Sequence, residues 1–441
     1  MKTERQEIMK QSIDRRLFRD VNFLSFWGAT ILSALGDSSN YILMSWFILD
    51  VTGSEGILGT ALLCISIPRL FFMLIGGVTA DRINRKYILI FSVLARALVL
   101  GLFSMLLGAG NSSIVTETVY LMATLFGIVD AFFWPARDSM IPQVVPKDQL
   151  AAANSIIQTT QQISMVVGPL LAAILLHLAN YQIRFLTIAA VFLGTALLLA
   201  KMRFDPVVDH QKTVVTVKSS ALQDLAAGIR YVITIRPIAL IMVIAFFTNI
   251  LTQGPLSIAI PVLVKNLGWS GSAYGFLMGA VGIGAIIGGI ITGLAKRFRG
   301  HYRLLAIFIV GMGLGIATTG FMRHVGFGIA AMLVVGMMMT MVDIPIIIYI
   351  QTVCDQKMLG RVMSLLSLTS MGLGPVSYAL TSYILQHGLA DAQTVMITGG
   401  TLMAITGLSM VLFKDLRTME EHPAWKNVGS YKSKDAKATT M

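Results

Sequence analysis

Charge is scarce in this chain. Asp, Glu, Lys and Arg make up 13% of its 441 residues, whereas a soluble domain carries about 25%. Hydrophobic side chains make up 55%, more apolar surface than a water-soluble globule of this size can hide. Soluble enzymes, disordered tails and small secreted scaffolds are therefore excluded. Cysteine is nearly absent. Cys64 and Cys354 lie far apart, each in or beside an apolar stretch, and read as two buried thiols rather than a disulfide framework. The six histidines (His177, His210, His301, His324, His387 and His422) show no metal-ligand spacing, and no phosphate-binding loop or nucleophile elbow is present. Neither a metal, a cofactor nor enzymatic activity is expected. The net charge of +12 would suggest nucleic acid in a soluble protein, but here it is dispersed over many loops, and no nucleic-acid partner is expected.

What the chain has is long apolar runs. Crossing about 30 Å of hydrocarbon takes about 20 residues of helix. Runs of that order between charged or turn-rich breaks give twelve segments: 22–49, 57–79, 87–108, 118–140, 150–178, 183–202, 237–264, 272–295, 303–322, 327–353, 361–387 and 393–413. The first exceeds the roughly 7–15 residues of a signal-peptide core and reads as a membrane helix. Nothing alternates as barrel strands would, so the fold expected is an all-α integral membrane bundle.

Most of the 34 Lys and Arg fall in loops on one side, with Arg184, Lys265 and Arg323 opposite and Arg69 and Arg96 inside segments. By the positive-inside rule both termini are cytoplasmic. The expected organisation is a cytoplasmic segment 1–21, a six-helix bundle 22–202, a cytoplasmic linker 203–236, a second six-helix bundle 237–413 and a cytoplasmic tail 414–441. Within the linker, Leu222, Leu225, Ala226, Ile229 and Ile233 recur at helical spacing behind Ser219 and Ser220. This predicts an amphipathic helix on the inner membrane surface, serving as a latch between bundles or simply as a connection. The halves repeat: Pro135, Lys147, Ser155 and Gly168-Pro169 recur in order as Pro345, Lys357, Ser364 and Gly374-Pro375. A duplicated six-helix unit is an architecture of secondary transporters.

Between segments two and three the chain reads Gly76-Gly77-Val78-Thr79-Ala80-Asp81-Arg82-Ile83-Asn84-Arg85-Lys86. Positive-inside topology accounts for Arg85 and Lys86, but not for a carboxylate among the cations. Asp81 is suited to meet the positive N-terminal end of a cytoplasmic helix such as the one expected to start near Arg361. The string resembles the GxxxDRxGRR-type loop of the major facilitator superfamily, with Asn84 at a glycine position. The second half keeps glycines and cations from Gly288 to Arg303 but has Gly293 near the acidic position, so a latch of Gly77, Asp81, Arg82, Arg85 and Arg361 would be asymmetric. Ser164 to Pro169 is similar to the superfamily's antiporter signature, with Ala172 and Ala173 at later glycine positions. Gly168-Pro169 and Gly374-Pro375 are expected to kink segments five and eleven. Phe132 to Arg137, Ile141-Pro142, Val145 to Leu150, Gly36-Asp37 and Gly360 to Met363 resemble the branch of macrolide-efflux and enterobactin exporters. The resemblance implies two pseudo-symmetric bundles in a bacterial cytoplasmic membrane, export driven by protons, and a chain that works as a monomer.

Charges inside a bilayer cost about 2.5–3.5 kcal/mol each. Three acids meet that description: Asp37 in segment one, Asp130 in segment four and Asp343 in segment ten. In the superfamily, segments one, four, seven and ten line the central cavity. Segment seven adds Thr248, Asn249, Thr252, Gln253 and Ser257, with Asn249 and Gln253 one turn apart. Asp37 is the leading candidate for proton coupling, with Asp130 and Asp343 as partners of substrate charge or secondary proton sites. The other reading pairs these acids structurally with Arg69 and Arg96. Trp134 and Phe133, beside Asp130, are aromatic candidates for cargo contact or for an interfacial anchor.

The expected function is export of small lipophilic or cationic compounds in exchange for protons by alternating access. The alternatives are a siderophore or lysophospholipid transporter of the same fold, or a membrane sensor that moves nothing.

Overall fold

The computed structural model describes residues 17–108, 115–178, 180–203, 221–294, 302–413 and 415–416. Among them the secondary structure is helical throughout, with no strand. The first six helices are α1 (Val21–Thr52), α2 (Glu55–Arg82), α3 (Arg85–Gly108), α4 (Val115–Val144), α5 (Leu150–Leu178) and α6 (Tyr181–Lys201). After the linker helix α7 (Ala221–Thr234), segment seven is built from α8 (Arg236–Gly254), a wide π turn (Pro255–Ala259) and α9 (Ile260–Asn266). Then come α10 (Gly271–Leu294), α11 (Tyr302–Thr319), α12 (Val325–Val353), the pair α13 (Gln356–Met371) and α14 (Gly374–Gln386), and α15 (Ala392–Ser409).

Eleven of the described spans are long and apolar enough to cross a membrane. The 32-residue α1 is not among them, because Gly36-Asp37-Ser38-Ser39-Asn40 places a polar run at its middle. Short connections are fixed by side-chain caps. Asp20 accepts from the Asn22 amide at 2.8 Å at the start of α1, Gly53 ends that helix at φ 67°, and Ser54 and Asn180 cap α2 and α6.

The helices wear their apolar residues outward as well as inward. On α3, Phe91, Leu94, Leu98, Leu102 and Met105 form an exposed stripe, while Leu89, Val93, Ala97, Leu100 and Phe103 are buried. Such a stripe is intolerable in water and is what lipid requires.

The chain divides into two compact units, Met1–His210 with Gly268–Gly279, and Gln211–Leu267 with Ala280–Met441. The start of α10 therefore packs with the first unit, although in sequence it follows the linker. Gly271, Gly275 and Gly279, four residues apart, lie against Trp46, against Pro169 and Ala173, and against Leu170. Each unit contains helix crossings that leave no room for a side chain. A Cβ at Gly127 of α4 would collide with the Ile65 carbonyl of α2, and a Cβ at Gly336 of α12 would collide with the Val281 carbonyl of α10. Small residues allow this approach, and in lipid, packing drives helix association in place of the hydrophobic effect.

In the second unit, α7 rests on the start of α13. Gly228 faces Arg361, and the Tyr231 hydroxyl accepts from the Asp355 amide at 3.0 Å. Ile229 and Ile233 remain exposed, while Ser219 and Ser220 lie outside the described residues. The helix expected to start near Arg361 starts at Gln356, behind Asp355. Arg361 therefore sits in its second turn rather than at the N-terminal end. The expected kink at Gly374-Pro375 is a full break, with α13 ending at Met371 and Pro375 in the first turn of α14. By contrast, α5 runs unbroken through Pro169.

Candidate functional site

In the first unit four intramembrane charges converge. Arg96 is fully buried on the face of α3 opposite its lipid stripe. Its Nη1 donates to both oxygens of Asp37, at 2.8 and 3.0 Å, and to Ser33 Oγ at 3.3 Å. Its Nη2 stands 2.9 Å from Asp130 Oδ1 and donates to Ser92 Oγ at 3.3 Å. Arg69 Nε stands 3.0 Å from the other oxygen of Asp130. The order Asp37, Arg96, Asp130, Arg69 alternates in sign and sums to zero, which is how charges are tolerated in a low-dielectric interior. Phe133 lies under the Arg96 guanidinium at 4.6 Å, and Phe126 and Phe192 flank it.

The chain of charges opens at its ends. The Asp37 side chain is 21% exposed and that of Arg69 30%, against 6% for Asp130. Both ends, and Asp130 between them, line a cavity of about 90 Å³ shared with Asn40, Tyr41 and Trp134. Arg69 and Arg137 both lie over the Trp134 ring, at 5.8 and 4.4 Å from its centroid, and the Trp134 Nε1 has no hydrogen-bond partner. Asn40 Oδ1 is also buried without one. Composition and depth pointed to the charges, but nothing in the sequence marked Asn40 among the other polar residues of α1.

The second unit holds a larger cavity of about 290 Å³, lined by Thr248, Asn249, Thr252, Gln253, Asp343 and Ser370 amid Ile, Leu, Val and Met side chains. Among the described residues no Lys, Arg or His lines it. Asn249 Nδ2 donates to the Ala245 carbonyl at 2.8 Å, Thr248 Oγ1 to Ile244 at 2.8 Å and Thr252 Oγ1 to Thr248 at 2.7 Å.

Each unit also joins two of its helices through a serine. Ser39 of α1 donates to the Gly168 carbonyl of α5 at 2.9 Å, and a Cβ on Gly168 would strike Ser38. In the second unit the glycine is on segment seven instead. The Gly254 amide donates to Ser377 Oγ at 2.6 Å, and that hydroxyl donates to the Ile250 carbonyl at 2.5 Å. Ser377 is thereby inserted where Gly254 would bond Ile250 directly. With Pro255 supplying no N–H, the helix widens into the π turn that follows. The Gly254-Pro255 pair was a legible signal of this, but Ser377 was not.

The loop residues are more dispersed. Open space surrounds the position a Cβ would take at Gly77, and Arg82 is exposed. Arg85 Nε donates to the Ala80 carbonyl at 3.2 Å, closing the end of α2. Lys86 closes the end of α6 through Ala200 and Met202. The Asp81 side chain lies outside the described residues. Arg361 Nη1 contacts Met358 Sδ at 3.5 Å. Among the described residues no cluster of His, Cys, Asp or Glu could hold a metal ion.

The sequence profile of the Major Facilitator Superfamily matches residues 26–379, and the chain belongs to that family. It is a multi-pass membrane transporter and not an enzyme. Among related sequences it is similar to the uncharacterized MFS-type transporter YkuC of Bacillus subtilis, 26% identical over 359 residues that cover 78% of this chain and 81% of that one. It is 24% identical to the enterobactin exporter EntS of Escherichia coli over 358 residues, covering 80% and 82% respectively. Among solved structures its fold is similar to the nucleoside transporter NupG, with a TM-score of 0.70 at 13% identity over 90% of this chain and 98% of that one. A D-xylose-proton symporter gives 0.68 at 14% identity over 91% and 99%.

Proposed function

We propose that this transporter exports small lipophilic or cationic compounds in exchange for protons. The observation that carries this reading is the contrast between the cavities: two acids neutralised by two arginines in one unit, and a carboxylate with no cation lining its cavity in the other. Asp343 is then the partner of cargo charge. Asp37 is the proton-coupling acid, because it meets a single guanidinium and is the more exposed of the two acids lining the cavity, whereas Asp130 is shared by two arginines and is nearly buried. Protonation of Asp37 would leave Arg96 to Asp130 alone, a rearrangement able to couple proton binding to a change of access. The loop with Gly77, Asp81, Arg82 and Arg85, together with Arg361, is assigned to the conformational latch, and the linker helix to its control. The setting is a bacterial cytoplasmic membrane, with both termini cytoplasmic and a monomer as the working unit.

The test is flux in proteoliposomes. An imposed proton gradient should drive uphill movement of a lipophilic cationic dye, and a protonophore should abolish it. Asp37→Asn should lose this coupled flux while retaining energy-independent exchange. Full proton-driven transport by Asp37→Asn removes the assignment, and binding without flux in the wild type would make the protein a sensor.

A second reading, export of a cargo like that named for the EntS relative, draws on Arg69, whose exposed end offers donors to an anionic or oxygen-rich group. Competition of dye flux by enterobactin separates the two.

A further inference from the structure

The cavity of the second unit narrows the class of cargo, a step that rests on the exporter reading proposed above. Three polar side chains on its α8 wall, Thr248, Asn249 and Thr252, donate a hydrogen to their own helix. Asn249 gives one of its two amide hydrogens to Ala245, which leaves its Oδ1 to accept. This orientation is fixed by chemistry, since a carbonyl can only accept. Thr248 and Thr252 have likewise donated to Ile244 and Thr248, leaving lone pairs. Asp343 adds two acceptor oxygens and a negative charge. Besides the second N–H of Asn249, only Gln253 and Ser370 among the described lining side chains retain donors, and no cation is among them. Among the described residues no Phe, Tyr or Trp lines it either. Quaternary ammonium groups, which have no N–H, are recognised by aromatic cages, and this cavity has none.

We infer that the cavity selects a protonated amine bearing at least one N–H, in preference to a quaternary ammonium of the same shape. The N–H points at Asp343 and the freed oxygens of Asn249 and Thr252, and the apolar remainder lies along the Ile and Met wall. A quaternary centre would keep the Coulomb attraction but leave these acceptors dry and unpaired, which is costly.

The experiment compares N,N-dimethyl-(1-naphthylmethyl)amine with its N,N,N-trimethyl analogue, binding to the purified full-length protein at a pH where the first is protonated and with no proton gradient. The tertiary amine should bind at least tenfold more tightly, the worth of one well-made charge-assisted hydrogen bond. Asn249→Leu and Thr252→Val should each narrow that gap. The near-isosteric Asp343→Asn should remove binding of both probes, and Asp343→Glu should keep the preference. Equal affinity for the two probes overturns the inference, as does tertiary-amine binding that Asp343→Asn leaves intact. Because these readouts need no gradient, they fail independently of proton-driven export. Uphill flux of both probes alike would sink the amine preference and leave the exporter standing, while amine-selective binding without any coupled flux would do the reverse.

Discussion

Arg96 and Asp37 are 59 positions apart in sequence and are joined by two hydrogen bonds from a single guanidinium nitrogen, at 2.8 and 3.0 Å. Because Arg96 is fully buried and also faces Asp130, it is the keystone of the charge chain rather than one member of a surface pair. Arg96→Met leaves two carboxylates facing Arg69 alone. The expected loss is about 3–5 kcal/mol, the usual cost of stranding a buried charge. It would be read as a lowered unfolding midpoint in detergent. The double change Arg96→Met with Asp37→Asn should recover part of it, and strict additivity of the two losses would show that the residues do not act as a pair.

The glycine crossings give a steric prediction. At Gly127 an added side chain must displace the Ile65 backbone, so Gly127→Leu is expected to cost at least about 3 kcal/mol, the upper range for overpacking. Loss of a monodisperse peak on size exclusion would report it. Gly101→Leu, on α3 with nothing within 4 Å of its Cβ, is the control and should purify normally.

Ser377→Ala removes the hydroxyl that stands between the Gly254 amide and the Ile250 carbonyl. The two backbone groups must then close on each other, straightening the π turn, or remain unpaired at a cost of about 1–3 kcal/mol. A drop in thermal midpoint together with altered transport kinetics is expected. An unchanged midpoint and unchanged kinetics would mean the serine is incidental.

Asp391 gives a pH-dependent prediction. It caps α15, accepting from the Thr394 amide at 2.7 Å, and hydrogen bonds from the Thr394 side chain first and its amide second hold the carboxyl below the usual carboxylate range. A lowered value in the folded state stabilises above the ordinary carboxylate pKa of about 3.9 and loses that contribution as pH falls through the lowered value. The group is almost wholly exposed, so the effect should stay below about 1 kcal/mol. Asp391→Asn keeps a capping oxygen that does not titrate. The wild type's advantage over it should shrink between pH 5 and pH 3 (~2 units around that value), and a constant difference would contradict the capping account.

The spans, the duplication and the three acids were legible because burying charge in lipid is so costly that a single Asp in an apolar run stands out. The pairing was harder to read. Arg69 and Arg96 could be named as possible partners, but which acid each meets depends on helix rotation and tilt, and Arg96 taking both acids at once has no signature in one dimension. In sequence the start of segment eleven falls at Arg361 because Asp355 and Lys357 read as loop, whereas Asp355 stands at the N-terminal boundary of a helix that begins at Gln356. Segment one was legible in length but not in polarity. Its central Gly-Asp-Ser-Ser-Asn run looks like an interruption and is instead the strip facing Arg96, Gly168 and the cavity.

Trp134 carries two guanidiniums over its ring, 5.8 Å away for Arg69 and 4.4 Å for Arg137, beside the carboxylate that Arg69 neutralises. An indole responds to the field across its ring. If Arg69 shifts toward a cargo or Asp130 changes partner, the emission of this tryptophan changes with it. The transporter thus carries its own optical reporter of charge at the first unit's cavity, and with the other four tryptophans replaced by phenylalanine, single-turnover fluorescence would time the switching of that cluster without any attached dye.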